Sequence, residues 1–264
     1  MIELQNITYT YSPKTPFEKT AVDGVSLRVN KGELVGIIGP SGSGKSTLIQ
    51  LMNGLLKPAS GEVFFEGEPL KKVNTRIGIV FQYPEAQIFE ETIQKELEFG
   101  PKNIGMDKVD IAKAIQNSIK IMGIDSDLQK SPHEISGGQK RKVAIASVLS
   151  MNPEVLILDE PTAGLDPRAK RQLLETLVNM NRTGTTIILV SHSMEEIAEI
   201  CTRIVVMKDA KIYADGPVAD IFSNSKELID IGLDIPEITK YMQERGHENI
   251  WTVTQAEEML RAQQ

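Results

Sequence analysis

The chain has 264 residues, 41% of them hydrophobic and 25% charged, and a formal net charge of −7. These fractions are ordinary for a globular protein, and the negative balance weighs against sequence-independent nucleic-acid binding, which needs a basic surface. The longest apolar stretches, such as Val155–Leu158 and Ile187–Val190, are far too short to span a bilayer, and the lone Cys201 excludes an internal disulfide framework and reads as a small packed residue. The start, Met1-Ile-Glu-Leu-Gln-Asn, has neither a basic nor an apolar leader pattern, so no secretory signal is expected.

Residues 1–38 read as β-rich. Ile2, Leu4, Asn6 and Thr8 fall on alternate positions, as do Leu27 and Val29, and Gly32 punctuates before the next strand. Of the two nearby tyrosines, Tyr11 is the candidate to stack on a flat base and Tyr9 the candidate for strand-face packing. Leu34–Ile38 suits a buried parallel strand, and Lys45–Asn53 reads as a helix ended by Gly54. Between them, Gly39-Pro40-Ser41-Gly42-Ser43-Gly44-Lys45-Ser46 fits the phosphate-loop pattern G-x-x-x-x-G-K-[ST], with Thr47 in the same first helical turn. The glycines let backbone N–H groups close around phosphate oxygens without side-chain clash. The helix start adds unpaired donors and the positive end of a dipole. Lys45 can reach β- and γ-phosphates, and the Ser46 hydroxyl can ligate Mg²⁺.

Val63-Phe64-Phe65-Glu66-Gly67 predicts a strand then a turn, and Ile77–Phe81 a buried strand leading to Gln82, whose amide can reach Mg²⁺ or an attacking water. From about Thr92 to Ser150 the pattern is helical, with Ile111, Ile115, Ile119 and Met122 spaced as one apolar face. Within this block Ser136-Gly137-Gly138-Gln139 opens a helix and forms a second anion-seeking helix start. Val155–Leu158 is a short apolar strand that delivers Asp159 and Glu160, and Pro161 ends it. Asp159 suits Mg²⁺ handling, and Glu160 is then placed to polarise an attacking water. Arg168–Met180 is helical, and the strand Thr186–Val190 leads to His192, which can hold a γ-phosphate and water together. His133 and His247 have no such setting. Ile204–Met207 and Lys211–Ala214 predict a hairpin around Asp209-Ala210. Strands alternating with helices imply a mostly parallel α/β sheet, with an inserted helical subdomain at about 92–150. After Gly216-Pro217 the character changes. Pro236–Arg245 predicts a short helix with Ile238, Tyr241 and Met242 as its apolar side and Gly246 as its stop. Thr254-x-x-Glu257 reads as a capping box opening a last helix.

These residues in this order resemble the ATP-binding cassette (ABC) ATPases over about residues 1–220. The resemblance implies a P-loop NTPase with a RecA-like, mostly parallel sheet, an N-terminal antiparallel β-subdomain and the helical insert. It implies ATP and Mg²⁺ as ligands, Tyr11 as the adenine-stacking aromatic, Gly39 to Thr47 and Gln82 on the nucleotide, and Ser46, Gln82 and Asp159 on the metal. Glu160 and His192 are then catalytic, and Ala163-Gly-Leu-Asp166 falls on the D-loop. Head-to-tail dimers are implied, in which Ser136, Gly137, Gly138 and Gln139 of one subunit contact the ATP of the other. One departure is Ile135, where the family usually has Leu.

A narrower resemblance rests on Phe81-Gln-Tyr-Pro-Glu-Ala-Gln-Ile-Phe-Glu-Glu-Thr, on Glu98-Phe-Gly-Pro-Lys-Asn103 and on Asp159-Glu-Pro-Thr-Ala-Gly-Leu-Asp-Pro167. With Thr10-Tyr-Ser-Pro-Lys-Thr-Pro-Phe-Glu18 these look like the ATPase (A) component of energy-coupling factor transporters, the second of two paralogues, close kin of cobalt and nickel uptake ATPases. That family implies ATP-driven import of vitamins or transition-metal cations. Its partners are a second A-type ATPase (paralogue or self), a transmembrane T component and a substrate-binding S component. It also implies a peripheral place on the cytoplasmic membrane face and a dimer contact in the extension 221–264. A conventional ABC importer, and a soluble ABC ATPase of translation or DNA maintenance, are the alternatives. Glu85, Glu90, Glu91, Glu96 and Glu98, against Lys95, read as an acidic surface for Arg-bearing coupling helices of a partner.

Overall fold

The computed structural model describes residues 1–262. The chain forms two compact units: residues 1–72 with the chain from 188 onward, and residues 73–187 between them.

The first unit begins with β1 (Ile2–Tyr11) and β2 (Lys19–Val29), an antiparallel pair in register from Ile2↔Val29 to Tyr11↔Lys19. The alternation expected along β1 breaks at Asn6, which is left-handed (φ 48°) and exposed. The register shifts there, so Ile7 rather than Asn6 or Thr8 enters the core. An extra residue in one strand flips the facing of all that follow it. Next come β3 (Leu34–Ile38), buried at every position as a parallel interior strand requires, and α1 (Lys45–Asn53), which Gly54 closes by donating to Gln50 O and Leu51 O. β4 (Ser60–Phe65) and β5 (Glu68–Pro69) are joined by Glu66-Gly67, both left-handed, as a two-residue hairpin turn demands. The smaller sheet has the order β2-β1-β4-β5.

The second unit contains β6 (Ile77–Val80), a 3₁₀ turn at Pro84–Gln87, α2 (Ile93–Asn103), α3 (Lys108–Met122), a 3₁₀ turn at Pro132–Glu134, α4 (Gly137–Leu149), β7 (Val155–Asp159) and α5 (Pro167–Arg182). β6 and β7 pair in parallel, Ile77↔Val155 to Val80↔Leu158. Thr92, Asp107 and Asp166 start α2, α3 and α5 by accepting backbone N–H bonds from the first turn. The buried face of α3 is Ile111, Ala114, Ile115, Ser118 and Met122. Ile119, expected on that face, is only half-buried, because the 100° turn per residue carries it to the edge of the stripe.

β8 (Thr186–Val190) runs through the division, and the chain re-enters the first unit. α6 (Met194–Ile200), β9 (Arg203–Lys208) and β10 (Lys211–Pro217) follow. The strand order is β10-β9-β3-β8 in the first unit and β8-β7-β6 in the second. β3 and β9 are parallel, whereas β9 and β10 form the expected hairpin, with Asp209 and Ala210 both left-handed. The remaining helices are α7 (Val218–Ser223), α8 (Ser225–Asp230), α9 (Glu237–Gln243) and α10 (Val253–Ala262). Met242, Ile250 and Ala256, with Ile238 and Met259 against them, form a small core of their own. Two expectations in this tail are corrected. Tyr241 is half exposed, since its ring lies under the Arg245 guanidinium instead of in that core. The last helix opens at Thr252, not Thr254: Thr252 Oγ1 accepts from Gln255 N–H, and Gln255 Oε1 accepts from the N–H groups of Trp251 and Thr252. Residues 263 and 264 of the expected extension lie outside the described residues.

Candidate functional site

In the first unit, residues 39–44 turn from β3 into α1. Gly44 is left-handed (φ 104°), and a Cβ there would lie 2.1 Å from Ala21 O. A Cβ on Gly39 would lie 2.3 Å from Met207 O. The backbone path therefore excludes side chains at both positions. Lys45 is buried, and its Nζ donates to Gly39 O (2.7 Å) and Pro40 O (3.1 Å), so the ammonium lies inside the loop. Ser43 Oγ is buried with no hydrogen-bond partner among the described residues, a hydroxyl available to a ligand. α1 has no side-chain cap and no acidic residue in its first turn, so no carboxylate offsets the positive end of its dipole. A charged loop of this kind is built for a phosphate chain.

Tyr11 borders a cleft of about 250 Å³ shared with Lys19, Ala21, Gly42, Lys45 and Thr47. Its hydroxyl hydrogen-bonds Thr47 Oγ1 at 3.1 Å, tying the aromatic to the first turn of α1. Tyr9 meets it edge to face at 4.8 Å, as expected of a strand-face packer. His192 is exposed in the loop after β8. That loop is pinned on both sides: Ser191 Oγ donates to Glu196 and accepts from Ser193 N–H, and Ser193 caps α6.

In the second unit, Asp159 ends β7 as a buried carboxylate. Glu160 follows in the left-handed region (φ 49°), a conformation that costs a non-glycine residue on the order of 1 kcal/mol. Gln82 Nε2 donates to Glu160 Oε2 at 2.7 Å, so two residues 78 positions apart meet. Tyr83, next to Gln82, is also left-handed (φ 54°). Ser136 caps α4 by accepting from Gln139 N–H (3.3 Å). Gly137 and Gly138 are exposed, with nothing within 4 Å of a notional Cβ, so the start of α4 is open to an approaching group. Asp166 is engaged as the cap of α5, accepting from Arg168 and Ala169 N–H at 2.9 Å. Asp159 and Gln82 of this unit each carry a hard oxygen donor of the kind Mg²⁺ takes, as Ser46 does in the first unit.

The acidic surface expected after Gln82 is largely spent within the unit. Glu85 pairs with Arg141, Glu91 with Lys95, and Glu98 with Lys102. Glu96 is buried and accepts the N–H groups of Phe89 and Glu90; burial raises its carboxyl pKa despite those two bonds. Burial also works to raise the Glu85 carboxyl, but the Arg141 hydrogen bond and the local backbone outweigh it and hold it below the usual carboxylate range. Besides these ion pairs the segment exposes two aromatic rings. Phe89 and Phe99 meet edge to face at 4.7 Å, both exposed, over an apolar groove of about 300 Å³ that includes Val80, Ile104, Val148 and Met151.

The sequence reading missed Arg141. The guanidinium is buried on α4; Nε and Nη2 donate to the two Glu85 oxygens (3.0 and 2.8 Å), and Nη1 donates to Pro161 O (3.3 Å) and Ala163 O. The signal available was an arginine two residues beyond Ser136-Gly137-Gly138-Gln139, between Lys140 and Lys142 and just before the apolar run from Val143. Nothing local announces that such a charge is buried.

Residues 22–163 match the family model for the ABC transporter. The energy-coupling factor transporter ATP-binding protein EcfA2 of Clostridium perfringens is 44% identical, over 98% of this chain and 96% of that protein. The solved structure of cbiO1 from Clostridium perfringens, part of the ABC transporter complex cbiONQ, is 36% identical with a TM-score of 0.76, covering 92% of this chain and 98% of its own. A dimeric post-hydrolysis ATP-binding cassette, MJ0796, bound to ADP and Pi, is 29% identical with a TM-score of 0.73, covering 83% of this chain and 99% of its own. Among the described residues no helix is long and apolar enough to cross a membrane.

Proposed function

The chain belongs to the ABC transporter family, among the ATP-binding subunits of energy-coupling factor transporters, and from that premise we propose that it hydrolyses ATP to power a membrane importer through closure of an ATPase dimer. The observation that carries the reading is Lys45 held inside a loop that admits only glycine at positions 39 and 44. Backbone donors of Gly39 to Thr47 and the Lys45 ammonium bind the triphosphate, and Tyr11 stacks on the adenine. Ser46, Asp159 and Gln82 would hold Mg²⁺, which neutralises charge on the phosphates. Glu160 polarises the attacking water, and His192 steadies the γ-phosphate. The open start of α4, Ser136 to Gln139, serves the ATP of the partner subunit, which makes hydrolysis a property of the dimer.

Residues 1–220 are read as the ATPase proper, with the helical subdomain at 92–150, and 221–264 as an extension that contacts the second ATPase. The separate core around Met242 and Ile250 supports that division. The partners are a second A-type ATPase, a transmembrane T component and a substrate-binding S component, with the chain held at the cytoplasmic membrane face. The groove under Phe89 and Phe99 supports docking of the T component there, since two exposed phenyl rings beside a functional loop mark an interaction surface. Tagged Glu160→Gln chain, purified from native membranes and analysed by mass spectrometry, tests the transport reading. Recovery of T-type and S-type membrane proteins is expected. A conventional permease pair with a solute-binding protein would overturn the energy-coupling factor assignment, and no membrane protein at all would overturn transport.

A further inference from the structure

We propose that Arg141 is the positioning residue for the hydrolytic carboxylate, setting the Gln82–Glu160 hydrogen bond from the two segments that flank it. The proposal rests on Glu160 acting on the attacking water, as read above.

The geometry is specific. Gln82 and Glu160 meet at 2.7 Å, but each sits at the end of a strand, next to or within left-handed backbone: Tyr83 after Gln82, and Glu160 itself. Such conformations persist only where the surroundings over-determine them. Arg141 supplies that constraint to both segments. On one side its guanidinium forks onto Glu85, in the 3₁₀ turn that begins two residues after Gln82. On the other it donates to the carbonyls of Pro161 and Ala163, immediately after Glu160. The planar fork and the carbonyl contacts use opposite edges of one rigid group, a job lysine's point charge cannot do. The side chain is 6% exposed and anchored to α4, whose N-terminus carries Ser136 to Gln139. One buried cation therefore joins the backbone after Gln82, the backbone after Glu160 and the helix that opens toward a partner's nucleotide. A shift of the Gln82 segment is then transmitted to Glu160 without passing through the triphosphate loop.

The test is steady-state ATP hydrolysis by the full-length chain, comparing Arg141→Lys, Gln82→Ala and the double variant, with Glu160→Gln as control and melting curves to confirm folding. Arg141→Lys is expected to lower kcat about tenfold with KM for ATP changed less than about twofold, because only transition-state positioning is lost. If Arg141 acts through the Gln82–Glu160 pair, the double variant is no slower than Gln82→Ala alone. Should Arg141→Lys not fold, Glu85→Gln, at a less buried position, takes its place with the same non-additivity expected. Losses that multiply, or a kcat unaffected by either change, would overturn the proposal. Full activity in Glu160→Gln would instead remove the hydrolytic reading on which it stands, so the two failures are distinct.

Discussion

The loop at residues 39–46 and the Gln82–Glu160 pair are two ways of building a candidate site. The loop is made of backbone: Gly44 turns where a Cβ would strike Ala21 O, and Lys45 folds back onto carbonyls five and six residues before it. The pair is made of side chains from residues 78 positions apart, held by a guanidinium from a third element. A backbone-made site tolerates almost no substitution but is written in one short stretch of sequence. A side-chain-made site spreads its dependence over distant residues, each of which can be tuned.

The sharpest way to break this contrast is Gly44→Ala. The new Cβ would press on a carbonyl, and loss of measurable ATP binding is expected in an equilibrium assay with a fluorescent ATP analogue. Retained binding would mean the loop can relax, and the backbone account would fall. Acid sensitivity gives a smaller and more graded effect. The Glu85 carboxyl is lowered in the fold, so its contribution is fully present above the ordinary carboxylate pKa and is lost as pH falls through the folded value. The wild-type chain should therefore lose more stability than Glu85→Gln between about pH 5 and pH 3, read from denaturant melts. Parallel curves would show that the pair contributes nothing. The smallest effect is in the tail: Thr252→Ala should cost about 1 kcal/mol of local helix stability, and Thr254→Ala within about 0.5 kcal/mol of none, by hydrogen exchange of α10. The reverse order would restore the cap to Thr254.

The same contrast explains what was legible. β3, α1, β8 and the Asp209-Ala210 turn were readable to the residue, because apolar runs, glycine and turn residues act locally. The facing of β1 was not, since whether Asn6 bulges depends on its bond to Ser26 on the neighbouring strand. The acidic segment after Gln82 looked like an open surface because the partner of Glu85, Arg141, lies 56 positions off in sequence, whereas Lys95 and Lys102 pair locally with Glu91 and Glu98. Thr252 and Thr254 offer equally good capping patterns, with Gln255 and Glu257 three residues on, and the packing of Ile250 and Ala256 selects the first. Among the candidate site residues, the glycine loop and Gln82 were singled out from pattern and resemblance, whereas the Gln82–Glu160 hydrogen bond, which joins residues 78 positions apart, was not legible in the sequence.

The most direct test of the account is Glu160→Gln in the full-length chain, with ATP binding and single-turnover hydrolysis measured together. ATP affinity close to wild type, with hydrolysis slowed by about 10²- to 10⁴-fold, is the predicted result. Hydrolysis at the wild-type rate would contradict it, because the carboxylate held by Gln82 would then take no part in the chemistry.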